Sequence, residues 1–117
     1  MALVMYIVLR RDLLTKLNWP IGALIAQGCH ATTALLWEYK TEDNVIQYMA
    51  DVDSMRKVVL EAADEKQLLD IAEKLNEKQL HHKLWVEQPE NIPVCIAVKP
   101  YPKSEVHPLV KQLKLFS

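Results

Sequence analysis

The stretch "LVMYIVLRRD", residues 3–12, decides how the rest of the chain is read. It opens with an unbroken apolar run, residues 3–9, rich in Val, Ile and Tyr. A strand that faced water on one side would alternate. A continuous run suits a strand covered on both faces, in the middle of a sheet flanked by helices. Arg10, Arg11 and Asp12 end the run. It is far shorter than the ~20 residues that a membrane-spanning helix needs. No basic segment precedes it, so it is not a signal peptide.

Outward from this strand, residues 12–19 form a polar connection. Pro20 fits the first turn of a helix, where a missing N–H costs nothing, and the helix continues to about residue 40. Val45, Ile46 and Met49 support a short second helix. Residues 55–62 read as a second strand. Asp64 followed by Gln67 resembles a capping box, and Leu68, Ile71, Ala72 and Leu75 then recur at helical spacing. Residues 82–87 and 93–98 are two further strands, joined through residues 88–91. Residues 99–102 form a stiff, proline-rich turn. Residues 103–113 form a last helix, which Pro108 should bend or restart. The order is β-α-α-β-α-β-β-α. It predicts a single α/β domain over residues 1–117, with a mixed, mostly parallel four-stranded sheet and helices on both faces.

The bulk composition fits this reading. Half of the 117 residues are hydrophobic and a quarter are charged, enough for an ordinary core. Lys+Arg 14 against Asp+Glu 15 leaves a net charge of −1, which argues against strong, non-specific nucleic-acid binding but allows a local basic patch. Arg10, Arg11, Lys16, Lys99, Lys103 and Lys111 are candidates for such a patch, or simply scattered surface charge. Cys29 and Cys95 are the two cysteines, too few for a disulfide framework or a four-cysteine zinc site. The expectation is a cytoplasmic protein with no membrane segment, metal or cofactor.

The first helix, "PIGALIAQGCHATTALLWEY" at residues 20–39, is apolar on nearly every side yet carries Gln27, Cys29 and His30. Residues 23, 27, 30 and 34 fall on one stripe, so Gln27 and His30 are neighbours. Cys29 points elsewhere and reads as a small buried hydrophobe, a poor nucleophile partner for His30. Gly22 and Gly28 are the chain's two glycines, and each costs a helix roughly 1 kcal/mol against Ala. Close packing or a ligand should compensate. The structural reading of Gln27 and His30 is a pair of satisfied core polar groups. The functional reading is a polar seam on a cleft.

These residues also carry a resemblance. "YIVLRRDL…GALIAQGCHA" resembles the opening of the type 2 peptidyl-tRNA hydrolase family, with Gly22, Ala26, Gln27, His30 and Ala31 matching its helix pattern. "RKVVLEA" at 56–62, "CIAVKPYPKSEV" at 95–106 and "LKLF" at 113–116 extend the likeness over nearly the whole chain. "LWVEQPENI" at 84–92 makes the chain most similar to a divergent eukaryotic branch, the peptidyl-tRNA hydrolase domain-containing proteins.

The resemblance implies cleavage of the ester between peptide and tRNA, which recycles tRNA. It implies peptidyl-tRNA as partner, and a homodimer as a possible state. The candidate catalytic positions in this chain are Gln27, Gln88 and His30, and the candidate substrate-binding ones Lys16, Trp19, Gly22, Ala23 and Asn91. This chain departs from the family at two places: Ala23 stands where the family has Lys, and Gln88 where it has Asp. Ala offers neither charge nor donor, and Gln cannot act as a general base. Lys16, Glu87 and Glu90 could stand in, although each also reads as a solvated charge. A second reading therefore stays open, a weak or inactive member that binds tRNA, a nucleotide or a protein.

Overall fold

The computed structural model describes residues 2–117. Strand β1, Leu3–Arg10, is buried from Val4 onward, as its apolar run requires. Its alternate residues feed two separate cores. Met5, Ile7 and Leu9 pack with Leu24, Ala31, Leu35 and Cys95 on one face. Val4, Tyr6 and Val8 pack with Leu60, Leu68, Ile71, Leu75, Ile96 and Val106 on the other.

After β1 the chain makes a single helical turn, α1 (Asp12–Thr15), then the long α2 (Ile21–Glu38) and α3 (Asp43–Ala50). These cross over to β2 (Lys57–Ala62), which lies parallel to β1 from Met5 opposite Lys57 to Arg10 opposite Ala62. Helix α4, Glu65–Glu77, starts as its cap signal requires. The Asp64 carboxylate accepts from the Gln67 N–H at 2.9 Å. The Gln67 side chain accepts in return from the N–H of Ala63, one residue before the cap. Then follow β3 (His82–Glu87), β4 (Ile92–Val98), β5 (Tyr101–Pro102), α5 (Lys103–Val110) and β6 (Lys114–Leu115).

The sheet order is β3-β4-β1-β2-β6, with β5 paired to the start of β1. Helices cover both faces, and the sheet is mixed. It has six strands where four were expected, because residues 101–102 and 114–115 add two short pairings. The balance of directions also differs from the expectation. Only β1–β2 is parallel, while β1–β4, β1–β5, β2–β6 and β3–β4 are antiparallel. The four residues 88–91 are too few for a crossover, so β4 must return antiparallel to β3. It then slots between β3 and β1 and separates strands that would otherwise pair in parallel. Helix α5 runs through Pro108 but stops at Val110, short of residue 113. The chain then turns, Leu113 N–H donating to the Val110 carbonyl, to lay β6 against β2.

Two ion-pair knots tie loops to this frame. Arg10, 6% exposed, makes a fork with Asp12 at 2.8 and 3.0 Å and donates to the Pro93 carbonyl at 3.0 Å. The end of β1 is thereby fastened to the start of β4. Lys99, also buried, pairs with Glu42, which accepts from His81 as well. Two of the cations proposed for a basic patch are thus consumed inside the protein. The hydrogen bond from Lys99, reinforced by its charge and by His81, holds the Glu42 carboxyl below its ordinary value.

Two outcomes follow from this packing. Leu35→Ala, at a fully buried position on α2, should cost about 2–5 kcal/mol in urea unfolding. Ile25→Ala, on the same helix but 58% exposed, should change stability by no more than about 0.5 kcal/mol. Glu42 has a lowered folded-state pKa, so it stabilises the protein above its ordinary value of 4.5. That contribution is lost as pH falls through the depressed value. Stability of the native chain should therefore fall more steeply below about pH 4.5 than that of Glu42→Gln, measured by urea midpoints across pH.

Candidate active site

Helix α2 meets the sheet along Leu24, Gln27, Ala31 and Leu35. That spacing follows one helical ridge, and Gln27 is its single polar member. It is 2% exposed. Its side-chain Nε2 donates to the Ala23 carbonyl at 3.1 Å and to Glu87 Oε2 at 3.3 Å. The other oxygen of Glu87 accepts from the Trp85 indole N–H at 3.2 Å. Both neighbours of Nε2 are acceptors, so the amide orientation is determined: reversing it would set oxygen against oxygen. The consequence is that Gln27 Oε1 is buried without a hydrogen-bond partner. Buried acceptors are nearly always paired, so this one stands out.

The seam continues along the flank of α2. His30 is exposed, and its ring lies 5.1 Å from that of Trp85, tilted by 31°. On the other side of Glu87 the hairpin turn carries Gln88 and Asn91, both exposed, with Gln88 Nε2 donating to Asn91 Oδ1 at 3.2 Å. Asn91 has φ 58, in the left-handed region that Asn tolerates, and its N–H closes the turn onto the Glu87 carbonyl at 2.7 Å. Behind the ridge, the Cys95 thiol donates to the Gln27 backbone carbonyl at 3.3 Å. Burial pushes that thiol up to about 12, so it stays protonated and serves as a donor.

Gln27, Ala23 and His30 therefore meet Glu87 and Trp85, while Gln88 and Asn91 follow Glu87 on the exposed turn and bond each other. Other proposed residues stand apart or differ in character. Lys16 is exposed and makes no ion pair among the described residues. Trp19 is half-buried and packs against the α2-side core. Cys29 is exposed, not buried. It projects from the flank of α2 opposite His30, off the ridge that meets the sheet. Neither glycine is crowded: a Cβ at Gly22 would meet nothing within 4 Å, and one at Gly28 would touch Ile7 and Leu9 at 3.8 and 3.9 Å, ordinary contact. Among the described residues, neither glycine is needed for a close approach.

Glu87 is the residue that sequence reasoning undervalued. Its position in the sequence reads as a solvated charge, yet it is half-buried and joins α2 to β3. A signal was available, because Trp85 and Glu87 are two apart on a strand and so share one face.

The family model for "Peptidyl-tRNA hydrolase PTH2" matches residues 3–116. The chain belongs to that family. Two relatives carry the name "Putative peptidyl-tRNA hydrolase PTRHD1". The mouse protein is 51% identical over 115 residues, covering 97% of this chain and 82% of the relative. The human protein is 50% identical over 116 residues, covering 98% and 83%. Within this PTH2 member the seam is the place where the family's helix pattern, Gln27 and His30, meets the divergent hairpin.

Glu87→Ala would strand the Trp85 indole N–H and one Gln27 amide proton. Stability should fall by about 1–3 kcal/mol in denaturant titrations. Glu90→Ala, in the exposed turn two residues after Gln88, should stay within about 0.5 kcal/mol of the native chain.

Proposed function

We propose that this chain hydrolyses the ester between peptide and tRNA in the cytoplasm, at the seam of Gln27, Glu87, Gln88 and His30. The whole-length PTH2 match supports the reaction class. The observation that carries the site is the clamp of Gln27 by Glu87, which leaves a buried acceptor, Gln27 Oε1, with a hydrogen-bonding capacity not used by the protein.

Ester hydrolysis requires an aligned water, donors for the carbonyl oxyanion and a proton for the departing ribose oxygen. Glu87 is the carboxylate within the seam, one residue before the position where the family has Asp. In this reading it takes a proton from the attacking water and passes it to the departing ribose oxygen as the tetrahedral intermediate collapses, and its contact with Trp85 fixes its angle. Gln27 Oε1, sealed beneath the surface, accepts from a water buried beside it rather than from the substrate itself. The Gln88 amide, exposed on the turn, donates to the oxyanion. Exposed His30 and half-buried Trp85, their rings tilted 31° to each other, offer an aromatic face to the terminal adenine, a contact worth roughly 1–3 kcal/mol per stacked base. Ala23 contributes its backbone carbonyl to orienting Gln27 and nothing more. The carboxylate thus moves by one residue from the family's place, and the lysine is done without.

The test is release of a blocked amino acid from its tRNA by the purified chain, at catalytic and stoichiometric concentrations. Release above background is expected. Glu87→Gln keeps the shape but has one oxygen to accept where two N–H groups donate, and should lower the rate by ~10²–10⁴-fold. No release at stoichiometric protein, together with salt-sensitive tRNA binding, would contradict hydrolysis and favour a binding module.

A further inference from the structure

A second concave surface lies on the other flank of α2, separated from the polar seam by the buried ridge. It is a trench of about 640 Å³ between α2 and the face of β2 that α2 leaves uncovered. Ile21 and Ile25 are 61% and 58% exposed along its wall, Val59 is 38% exposed on its floor, and Phe116 stands beside Val59, its N–H donating to the Val59 carbonyl at 3.0 Å. From Ile21 to Thr32 the helix wall runs about 16 Å at 1.5 Å per residue. Cavities of this size suit a small organic ligand. Contiguous exposed apolar residues of this kind mark binding surfaces on soluble proteins.

The polar groups around the trench restrict the ligand. The Thr32 hydroxyl is already spent on the carbonyls of Gly28 and Cys29, at 3.0 and 3.1 Å. Arg11 pairs with Glu61 at 3.7 Å, donates to the Ser117 carbonyl and lies over the Phe116 ring. Lys57, two residues before Val59 on β2, has no carboxylate within ion-pair distance among the described residues. Its Nζ lies 3.4 Å from the Met55 sulfur and 5.4 Å from the centre of the Tyr48 ring. The residue is exposed, and partial desolvation lowers its pKa, so an anion beside it would favour the charged form. An extended peptide would bring backbone N–H and C=O groups into a trench with almost nothing to pair them. A hydrocarbon chain brings none.

We propose that this trench binds an amphiphilic monoanion, in chemical class a fatty-acyl carboxylate, with its tail along α2 and its head group at Lys57. The site is independent of the hydrolase reading, since it shares no side chain with the seam.

Dodecanoate is the probe, and the native chain supplies its own reporter. Cys29 lines the trench and is exposed, whereas Cys95 is buried. Saturating dodecanoate below its micellar concentration should slow iodoacetamide labelling of Cys29 at least tenfold. By calorimetry, Lys57→Met should weaken dodecanoate about tenfold while leaving uncharged dodecanol unchanged. Ile25→Asp, at an exposed position, should abolish binding of both. The proposal is overturned if Cys29 labels at the same rate with and without dodecanoate, or if Lys57→Met binds it as well as the native chain does. It is equally overturned if Cys29 is protected without amphiphile in a species that sediments as a dimer, which would assign the trench to a second copy.

Discussion

The structure depends on how one helix is seated. Helix α2 must bury a ridge against β1, β4 and β3, and the ridge includes one amide, Gln27. A buried amide without partners costs several kcal/mol against an apolar medium. Its donors must therefore be met by something on the sheet side, and Glu87 at the end of β3 meets one of them. That contact joins the hairpin to the helix, beside the Cys95 thiol that donates to the Gln27 carbonyl. It also divides α2 lengthwise. One flank becomes a polar seam with His30, Trp85 and Gln88. The other, with Ile21, Ile25 and Cys29, stays apolar and open.

The frame holds this seating from both ends. Arg10 binds Asp12 and the carbonyl of Pro93, so the return strand of the hairpin begins at a fixed point two residues after Asn91. Lys99, Glu42 and His81 bind the other end of β4 to the loop before α3. The hairpin between them is short, and Asn91 in the left-handed region closes it. A site that faces water is thereby carried on backbone anchored by buried ion pairs. Such pairs fix geometry more dependably than they raise stability.

Much of the fold was legible in the chain. The apolar run of residues 3–9 does become a central strand with a core on each side, because its two residue sets cannot both avoid water otherwise. The capping residues Asp64 and Gln67 start α4 where expected. Strand–helix alternation points to a parallel β4, but the four-residue connection 88–91 is the stronger constraint and makes β4 antiparallel to β3. Residues 101–102 and 114–115 are too short to show a period, and their strand character comes from pairing partners alone. The site was legible in part. The stripe of 23, 27 and 30 follows from helical geometry. Helix α2, however, is apolar all round, so periodicity could not say which flank faces the sheet. Cys29 was misplaced for that reason. The role of Glu87 needed the partner across the gap, 60 residues away in sequence.

At the proposed site the carboxylate of Glu87, one residue before Gln88, is held by an amide and an indole. The most direct test is nitrogen NMR of the Gln27 side-chain amide during titration with the trinucleotide CCA, the end of every tRNA. A substrate met at the seam shifts that amide resonance saturably, and the Trp85 indole resonance moves with it. If both signals stay in place while binding is registered elsewhere on the chain, Gln27 is only a satisfied piece of the core and the site lies in another part of the molecule.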